Sequence, residues 1–141
     1  MAFVPTTKAE VREWLTRFHA VNDSLDATRL PDIYAKEAKV QFGNQPVIIG
    51  RDALHNHFES HWANLETMHH EIRDFDMVDN KIYQPCHITW VVKNDPEKEK
   101  IIIPAIAVLH LVLSGEEKGL IGSAEYYMDA APLAVALQRS L

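Results

Sequence analysis

The stretch ETMHHEIRDFDMVDNKIYQPCHITWVVK, residues 66–93, decides the fold because it contains two long extended segments around a tight turn. In both segments apolar residues alternate with polar ones over several positions, as is typical of strands. Asp79 and Asn80 separate the segments and are of residue types that favour turns. The stretch therefore predicts an antiparallel hairpin. We expect a bulge near Arg73 to Asp76, where the alternation is interrupted.

More strands lie on both sides of this hairpin. Downstream, two further long apolar segments are separated by charged or glycine-containing loops: IIIPAIAVLHLVL (101–113) and LIGSAEYYMD (120–129). Upstream, two short extended segments flank a turn at Gly43-Asn44: AKVQF (38–42) and QPVIIG (45–50). The sequence therefore predicts a small strand pair followed by four long strands joined by hairpins.

Helices are predicted around the short strand pair. Thr7 and Glu10 fit a capping box, and the apolar residues that follow recur at helical spacing: Val11, Trp14, Leu15, Phe18 and Val21. Asp26 is suited to cap a second, short helix that runs through Leu30, Ile33 and Tyr34. Asp52 is suited to cap a third helix.

The C-terminal segment predicts one more short helix. Pro132 is suited to its first turn, and the helix should end near Ser140. Asp129 precedes it, and we interpret this carboxylate as a helix cap rather than a catalyst.

Composition excludes several classes of protein. A chain of 141 residues with 47% hydrophobic content fits one globular domain, which we assign to residues 1–141. The formal net charge of −6 is unsuited to binding nucleic acid. A single cysteine, Cys86, excludes an internal disulfide framework and fits a reducing compartment. No secretory signal or membrane span is visible, so we expect a cytoplasmic protein that does not bind membranes.

The order of elements predicts an α+β domain. Three helices should cover one face of a cone-shaped, curved, mostly antiparallel sheet. A strongly bent sheet closed on one side by helices leaves a cavity, and such cavities are common ligand sites.

Four segments, in this order and spacing, resemble the nuclear-transport-factor-2-like superfamily and especially its SnoaL-like branch of small cyclases and isomerases. They are LPDIYAKEAKVQF (30–42), GRDALHNHF (50–58), HEI (70–72) and AEYYMD (124–129). The resemblance implies a cone-shaped, cystatin-like fold, frequent homodimers through the open sheet face, and no metal or organic cofactor. It does not fix the function, because this fold carries isomerases, hydrolases, dehydratases, cyclases and binding proteins.

Two known mechanisms of the superfamily do not carry over to this sequence. The positions that match the carboxylate base and the acid of ketosteroid isomerases are Phe42 and Leu109. The polar positions of limonene-epoxide-hydrolase-like enzymes correspond to apolar or aromatic residues: Val40, Phe42, Ile88, Trp90 and Tyr126. Neither mechanism has its catalytic groups here.

Five of the eight histidines lie between positions 55 and 70, three of them on the third predicted helix. At about 100° per residue, His61 falls inside the apolar stripe of that helix and His57 at its margin. We therefore expect His61 to be the most buried, with His57 second. Their spacing of four could also bind zinc, but no third ligand is evident. The alternative is that His55 and His57 face water while His61 is a hydrogen-bonded core residue.

Alternation along the strands predicts which side chains face the cavity. Met68, His70 and Ile72 should share the inner face, whereas His69, His87 and His110 point outward. The expected apolar and aromatic wall consists of Phe18, Phe42, Phe58, Trp90, Leu109 and Tyr126. The expected polar groups are His61, His70 and Tyr126, followed by Gln84, His57 and Glu125.

These groups favour proton-transfer chemistry. An imidazole can act as base or acid near neutral pH, and a tyrosine hydroxyl can stabilise a developing enolate. We predict a cofactor-free isomerase or cyclase acting on a hydrophobic, polyketide- or terpenoid-like molecule in secondary metabolism. The catalytic candidates are His70, His61, Tyr126 and Glu125. The alternative is a non-catalytic small-molecule binding or interaction domain of the same fold; dehydratase and hydrolase activities are further possibilities.

Overall fold

The structure is a computed structural model that describes residues 3–141. Its helices, including one 3₁₀ helix, are α1 (Lys8–Asp23), the 3₁₀ helix (Ala27–Asp32), α2 (Arg51–Trp62) and α3 (Ala131–Arg139). Its strands are β1 (Tyr34–Phe42), β2 (Ile48–Ile49), β3 (Leu65–Ile72), β4 (Asp76–Val78), β5 (Lys81–Val92), β6 (Ile101–Leu111) and β7 (Ile121–Met128).

The strands form one curved sheet in the order β2-β1-β7-β6-β5-β3, and β4 pairs with β5. All neighbouring pairs are antiparallel except β1 and β7. Together with the helices, this sheet confirms the predicted α+β class and its cone-shaped architecture.

The hairpin at residues 66–93 is confirmed, but its first arm is interrupted rather than bulged. β3 ends at Ile72 and a separate strand, β4, begins at Asp76. The Arg73 amide still donates to the Pro85 carbonyl at 3.1 Å. Phe75 then turns into the core and is 4% exposed. Burial of this ring offsets the loss of strand pairing over three residues.

The register confirms which side chains share the inner face of the sheet. Met68 lies opposite Trp90, and His70 lies opposite Ile88. Between β6 and β7, Ala107 lies opposite Tyr126. Because side chains alternate along a strand, this register turns His70 and Tyr126 toward the helices.

Helix α1 packs across the inner face and begins at the predicted capping box. The Thr7 hydroxyl accepts from the Glu10 amide, and the Glu10 carboxylate accepts from the Thr7 amide. Trp14, which is fully buried, donates from its indole nitrogen to the Gly119 carbonyl at 2.8 Å. A side chain at Gly119 would place its Cβ 2.2 Å from the Phe3 carbonyl oxygen, so this close crossing requires glycine.

Two predicted helix boundaries are wrong. Asp26 does cap the second helix, but that helix is 3₁₀ and ends at Asp32, so that Tyr34 opens β1 instead of continuing the helix. The third helix is capped by Gly50 at φ +90, not by the side chain of Asp52, which lies in the first turn. The upstream strand predicted from residues 45–50 shortens to the two residues of β2.

Helix α3 packs against β5 and β6 and is held by hydrogen bonds near both ends. At its start, the N-cap residue is Ala130 and no side chain caps the helix, so the predicted cap at Asp129 is off by one residue. The Asp129 carboxylate accepts from the Ala131 amide at 3.0 Å. At its end, Arg139 donates to Asp95 at 3.0 and 2.9 Å and also pairs with Glu97 and Glu99. Asp95 is 1% exposed, and the Arg139 guanidinium and nearby amides lower its pKa to about 2.

Candidate functional site

A cavity of about 740 Å³ lies between the helices and the sheet. Its wall is mainly apolar and aromatic and includes most of the predicted residues: Phe18, Phe42, His57, Phe58, His61, His70, Trp90 and Tyr126. Helix α3 contributes Leu133, Ala134 and Leu137. A volume of this size can hold a molecule of several fused rings.

His70, on β3, is fixed by a carboxylate from the end of α1. Its Nδ1 lies 2.5 Å from Asp23 Oδ1, and its backbone amide donates to Asp23 Oδ2 at 3.0 Å. Since a carboxylate only accepts, Nδ1 carries the hydrogen. The neutral ring therefore has its lone pair on Nε2, the nitrogen available as a base. The side chain is 11% exposed and lines the cavity.

His19, on α1, stacks on His70 with ring centroids 4.6 Å apart and planes 18° from parallel. Its Nε2 lies 2.9 Å from Gln84 Oε1, while the Gln84 amide nitrogen donates to the Pro85 carbonyl at 2.8 Å. That second bond fixes the amide orientation, so Gln84 Oε1 is the acceptor and His19 Nε2 carries the hydrogen. Burial, and then the neighbouring His70, lower the pKa of His19 to about 3. His19 is therefore neutral near pH 7.

We call Asp23, His70, His19 and Gln84 the buried imidazole cluster. Its members come from α1, β3 and β5, and they join into one hydrogen-bonded and stacked unit. Asp23 and His70 are partly exposed, whereas His19 is 5% exposed and Gln84 is fully buried. The cluster holds one imidazole with a free basic nitrogen against the cavity.

A tyrosine pair lies on β1 and β7. The hydroxyls of Tyr34 and Tyr126 are 2.5 Å apart. Tyr34 is fully buried, and Tyr126 lines the cavity. Burial raises the pKa of both hydroxyls above the usual value, so both stay protonated. When Tyr34 donates to Tyr126, the Tyr126 proton remains for an oxygen atom in the cavity.

His57 and His61, which we call the mouth histidines, line the outer part of the cavity on α2. His61 is exposed, so the prediction that it would be the most buried histidine of this helix is wrong. The helix packs through Leu54, Phe58 and Trp62, and the margin with His61 faces the opening. His61 Nδ1 donates to the His57 carbonyl at 2.7 Å. His57 is half-buried and stacks on Phe42 at 4.8 Å.

Three predicted site residues do not line the cavity. Glu125 lies on the outer face of the sheet, where a carboxylate oxygen is 2.9 Å from His110 Nε2. Its alternation with Tyr126 places the two side chains on opposite faces. Gln84 and Leu109 point inward but are fully buried below the cavity surface. Gln84 therefore contacts His19 rather than a ligand.

The side chain of Cys86 also lines the cavity. Burial raises the pKa of Cys86 to about 11, so its thiol is neutral at pH 7 and unsuited to nucleophilic attack. Among residues 3–141, no group of three or more His, Cys, Asp or Glu side chains is arranged to hold a metal ion. In the same residues, no helix is long and apolar enough to cross a membrane.

Sequence reasoning missed His19 and Asp23. A signal for His19 was present, because it follows Leu15 by four residues and so continues the apolar face of α1. Asp23, the last residue of α1, had no such signal. Its role depends on the packing of α1 against β3, which brings together residues 47 positions apart.

Comparison with solved structures shows the fold. PrhC of Penicillium brasilianum aligns over 95% of this chain and 89% of its own, with a TM-score of 0.75 and 12% identity. The chain has the SnoaL-like, nuclear-transport-factor-2-like fold. A protein of Jannaschia sp. CCS1 assigned to the SnoaL-like polyketide cyclases aligns over 89% of each chain, with a TM-score of 0.73 and 9% identity.

A third solved structure with this fold is SalBIII, an epoxide hydrolase/cyclase-like enzyme in pyran ring formation in the polyether salinomycin. It aligns over 84% of this chain and 89% of its own, with a TM-score of 0.69 and 16% identity. At these identities the likeness concerns the nuclear-transport-factor-2-like fold alone. No protein-family profile and no curated protein matches the sequence.

Proposed function

We propose that the protein is a cofactor-free isomerase or cyclase that moves protons on a hydrophobic small molecule, of polyketide- or terpenoid-like character. The observation that carries this proposal is the contact of 2.5 Å between Asp23 and His70, which leaves a basic nitrogen against an apolar cavity. An enzyme role is supported in general by relatives in fold that are cyclases.

The proposed mechanism uses two groups. His70 Nε2 takes a proton from carbon or oxygen of the substrate, and Asp23 stabilises the imidazolium that forms. Tyr126 donates to the substrate oxygen on which negative charge develops. Return of the proton to another atom gives an isomer. In a ring closure, the deprotonated oxygen bonds to a carbonyl carbon, the π bond of that carbonyl breaks, and its oxygen takes the proton back from the His70 imidazolium. The apolar wall holds the reactive conformer.

The acid–base proposal favours His70 over His61. His61 is exposed, its Nδ1 donates to the backbone of its own helix, and no carboxylate within residues 3–141 pairs with its ring. His70 is 11% exposed and bonded to Asp23. A base of fixed orientation in a partly dry site is the better proton-transfer group.

The test uses 2-tetralone, an apolar bicyclic ketone, in D₂O. Exchange of its α-hydrogens is followed by proton NMR with wild-type protein, His70→Gln, Tyr126→Phe and the matched control His61→Gln. We expect acceleration above buffer by the wild type and His61→Gln, loss of it in His70→Gln, and roughly tenfold reduction in Tyr126→Phe. Full exchange activity in His70→Gln would overturn the proposal.

The second candidate is a non-catalytic binding domain. It is favoured by the cavity wall, which is dominated by aromatic and aliphatic side chains, and by the absence of the acidic positions of known isomerases. A carrier would bind an apolar ketone saturably, and the binding would leave its α-hydrogen exchange at the buffer rate.

We also propose a homodimer located in the cytoplasm and acting in secondary metabolism. Support for the dimer comes from the outer face of the sheet, where Ile102 is 62% and Tyr83 37% exposed. Light scattering of the purified chain tests it. A mass of one chain, about 16 kDa, would contradict the dimer.

A further inference from the structure

The buried imidazole cluster contains one polar atom without a partner. His19 is 5% exposed, and its Nδ1 makes no hydrogen bond within the described residues. Because Nε2 donates to Gln84, Nδ1 of the neutral ring carries a lone pair and can only accept. A buried acceptor without a donor is costly, and folded proteins seldom keep one that serves no purpose.

The surroundings indicate what the donor is. His19 belongs to the cavity wall, next to His70, whose free Nε2 also carries a lone pair in the neutral state. Nδ1 of His19 has almost no exposed surface, so the ring has to shift before a donor in the cavity can reach this atom. A ligand that packs against the stacked rings can supply that hydrogen-bond donor.

The charge of this part of the cavity restricts the ligand further. Asp23 lies behind His70, and no lysine or arginine is found among the described residues that line the cavity. A carboxylate or phosphate would meet two lone pairs and a negative charge there. A neutral hydroxyl group carries no charge that Asp23 would repel, and it can donate its hydrogen to one of these lone pairs.

We propose that His19 determines specificity by accepting a hydrogen bond from a hydroxyl group of an apolar ligand, with a small shift of its ring on binding. The substrate class is therefore a hydroxylated, uncharged, ring-containing molecule. The assignment adds a substrate class to the proposed function and rests on it in one respect, that the cavity binds a small molecule.

The test compares two probes that differ in one hydrogen-bond donor. 2-Naphthol can donate, whereas 2-methoxynaphthalene cannot. Their dissociation constants are measured by titration calorimetry for the wild type, His19→Phe and the control His87→Phe, whose histidine does not line the cavity. The phenylalanine at position 19 keeps a flat ring in the stack and removes the acceptor. We expect about tenfold preference for 2-naphthol in the wild type and His87→Phe, and none in His19→Phe.

A second measurement needs no variant. In ¹⁵N spectra of the wild-type histidines, 2-naphthol should shift the His19 Nδ1 resonance and 2-methoxynaphthalene should not. Unchanged preference in His19→Phe, no shift of Nδ1, or no binding of either probe would overturn the inference. Failure of the tetralone exchange with the naphthol preference intact would instead overturn the catalytic proposal and leave this inference standing.

Discussion

The buried imidazole cluster and the mouth histidines use the same side chain in opposite settings. His70 has a carboxylate on one ring nitrogen and a stacked ring beside it. His57 and His61 also approach each other, with ring centroids 4.2 Å apart, but they lie on neighbouring turns of α2 and His61 is exposed. The hydrogen-bond partner of an imidazole, not the number of histidines nearby, therefore determines which ring can be a fixed base.

Substitution of His70 should have a much larger effect on activity than substitution of His61. His70→Gln should lower proton-transfer turnover by about 10²–10⁴-fold, because it removes a positioned base. His61→Gln should change turnover less than about threefold, since its ring has no carboxylate partner. Rates of tetralone exchange check both variants. Equal losses in the two variants would contradict the distinction between the cluster and the mouth.

A second prediction concerns the free energy of unfolding, which should depend on pH because His19 is buried. His19 has a pKa of about 3 in the folded protein, below the value of about 6.5 for an unfolded histidine. The unfolded chain therefore binds the additional proton first, and stability falls as pH drops below about 6.5. Between pH 7.5 and 5 this group should cost the wild type about 2 kcal/mol.

Urea unfolding at these two pH values measures the effect. His19→Phe should be less stable than the wild type at pH 7.5, because Gln84 loses its partner, but it should lose less stability on acidification. Equal losses in the two proteins between pH 7.5 and 5 would show that His19 is not held neutral by the fold.

A third prediction concerns the ion pair between Asp95 and Arg139, which lies outside the cavity and holds the end of α3. The pKa of Asp95 is lowered to about 2, so its contribution is present above about pH 4 and is lost as pH falls toward 2. Asp95→Asn should be less stable at neutral pH and show a flatter acid-unfolding curve between pH 4 and 2. Circular dichroism measured as a function of pH checks this. An acid-unfolding curve parallel to that of the wild type would contradict a stabilising role of the Asp95–Arg139 pair.

The smallest expected effect concerns Glu125, on the outer face. Glu125→Gln should leave tetralone exchange within about twofold of the wild type, because the carboxylate contacts His110 rather than the cavity. A loss comparable with that of His70→Gln would show that Glu125 takes part in catalysis.

Much of the fold could be predicted from sequence because its signals are local. The alternation in residues 66–93 and the Thr7 capping box each depend on neighbours a few residues away. The inward orientation of His70 and Tyr126 followed from the same alternation.

The arrangement of the site depends on contacts between distant segments. Asp23 meets His70 only because α1 ends beside β3. Gln84, on β5, meets His19, on α1, although 65 positions separate them in the sequence. The exposure of His61 was wrongly predicted because an ideal helical wheel shows which residues share a face, not whether that face meets the core or an opening.

The most direct test of the buried imidazole cluster is a histidine ¹⁵N NMR titration of the wild-type protein from pH 8 to 4.5. We predict that His19 remains a neutral ring with hydrogen on Nε2 throughout, and that neutral His70 carries its hydrogen on Nδ1. Protonation of His19 within this range would contradict its neutral state in the cluster, and hydrogen on Nε2 of neutral His70 would contradict the assignment of His70 as the base.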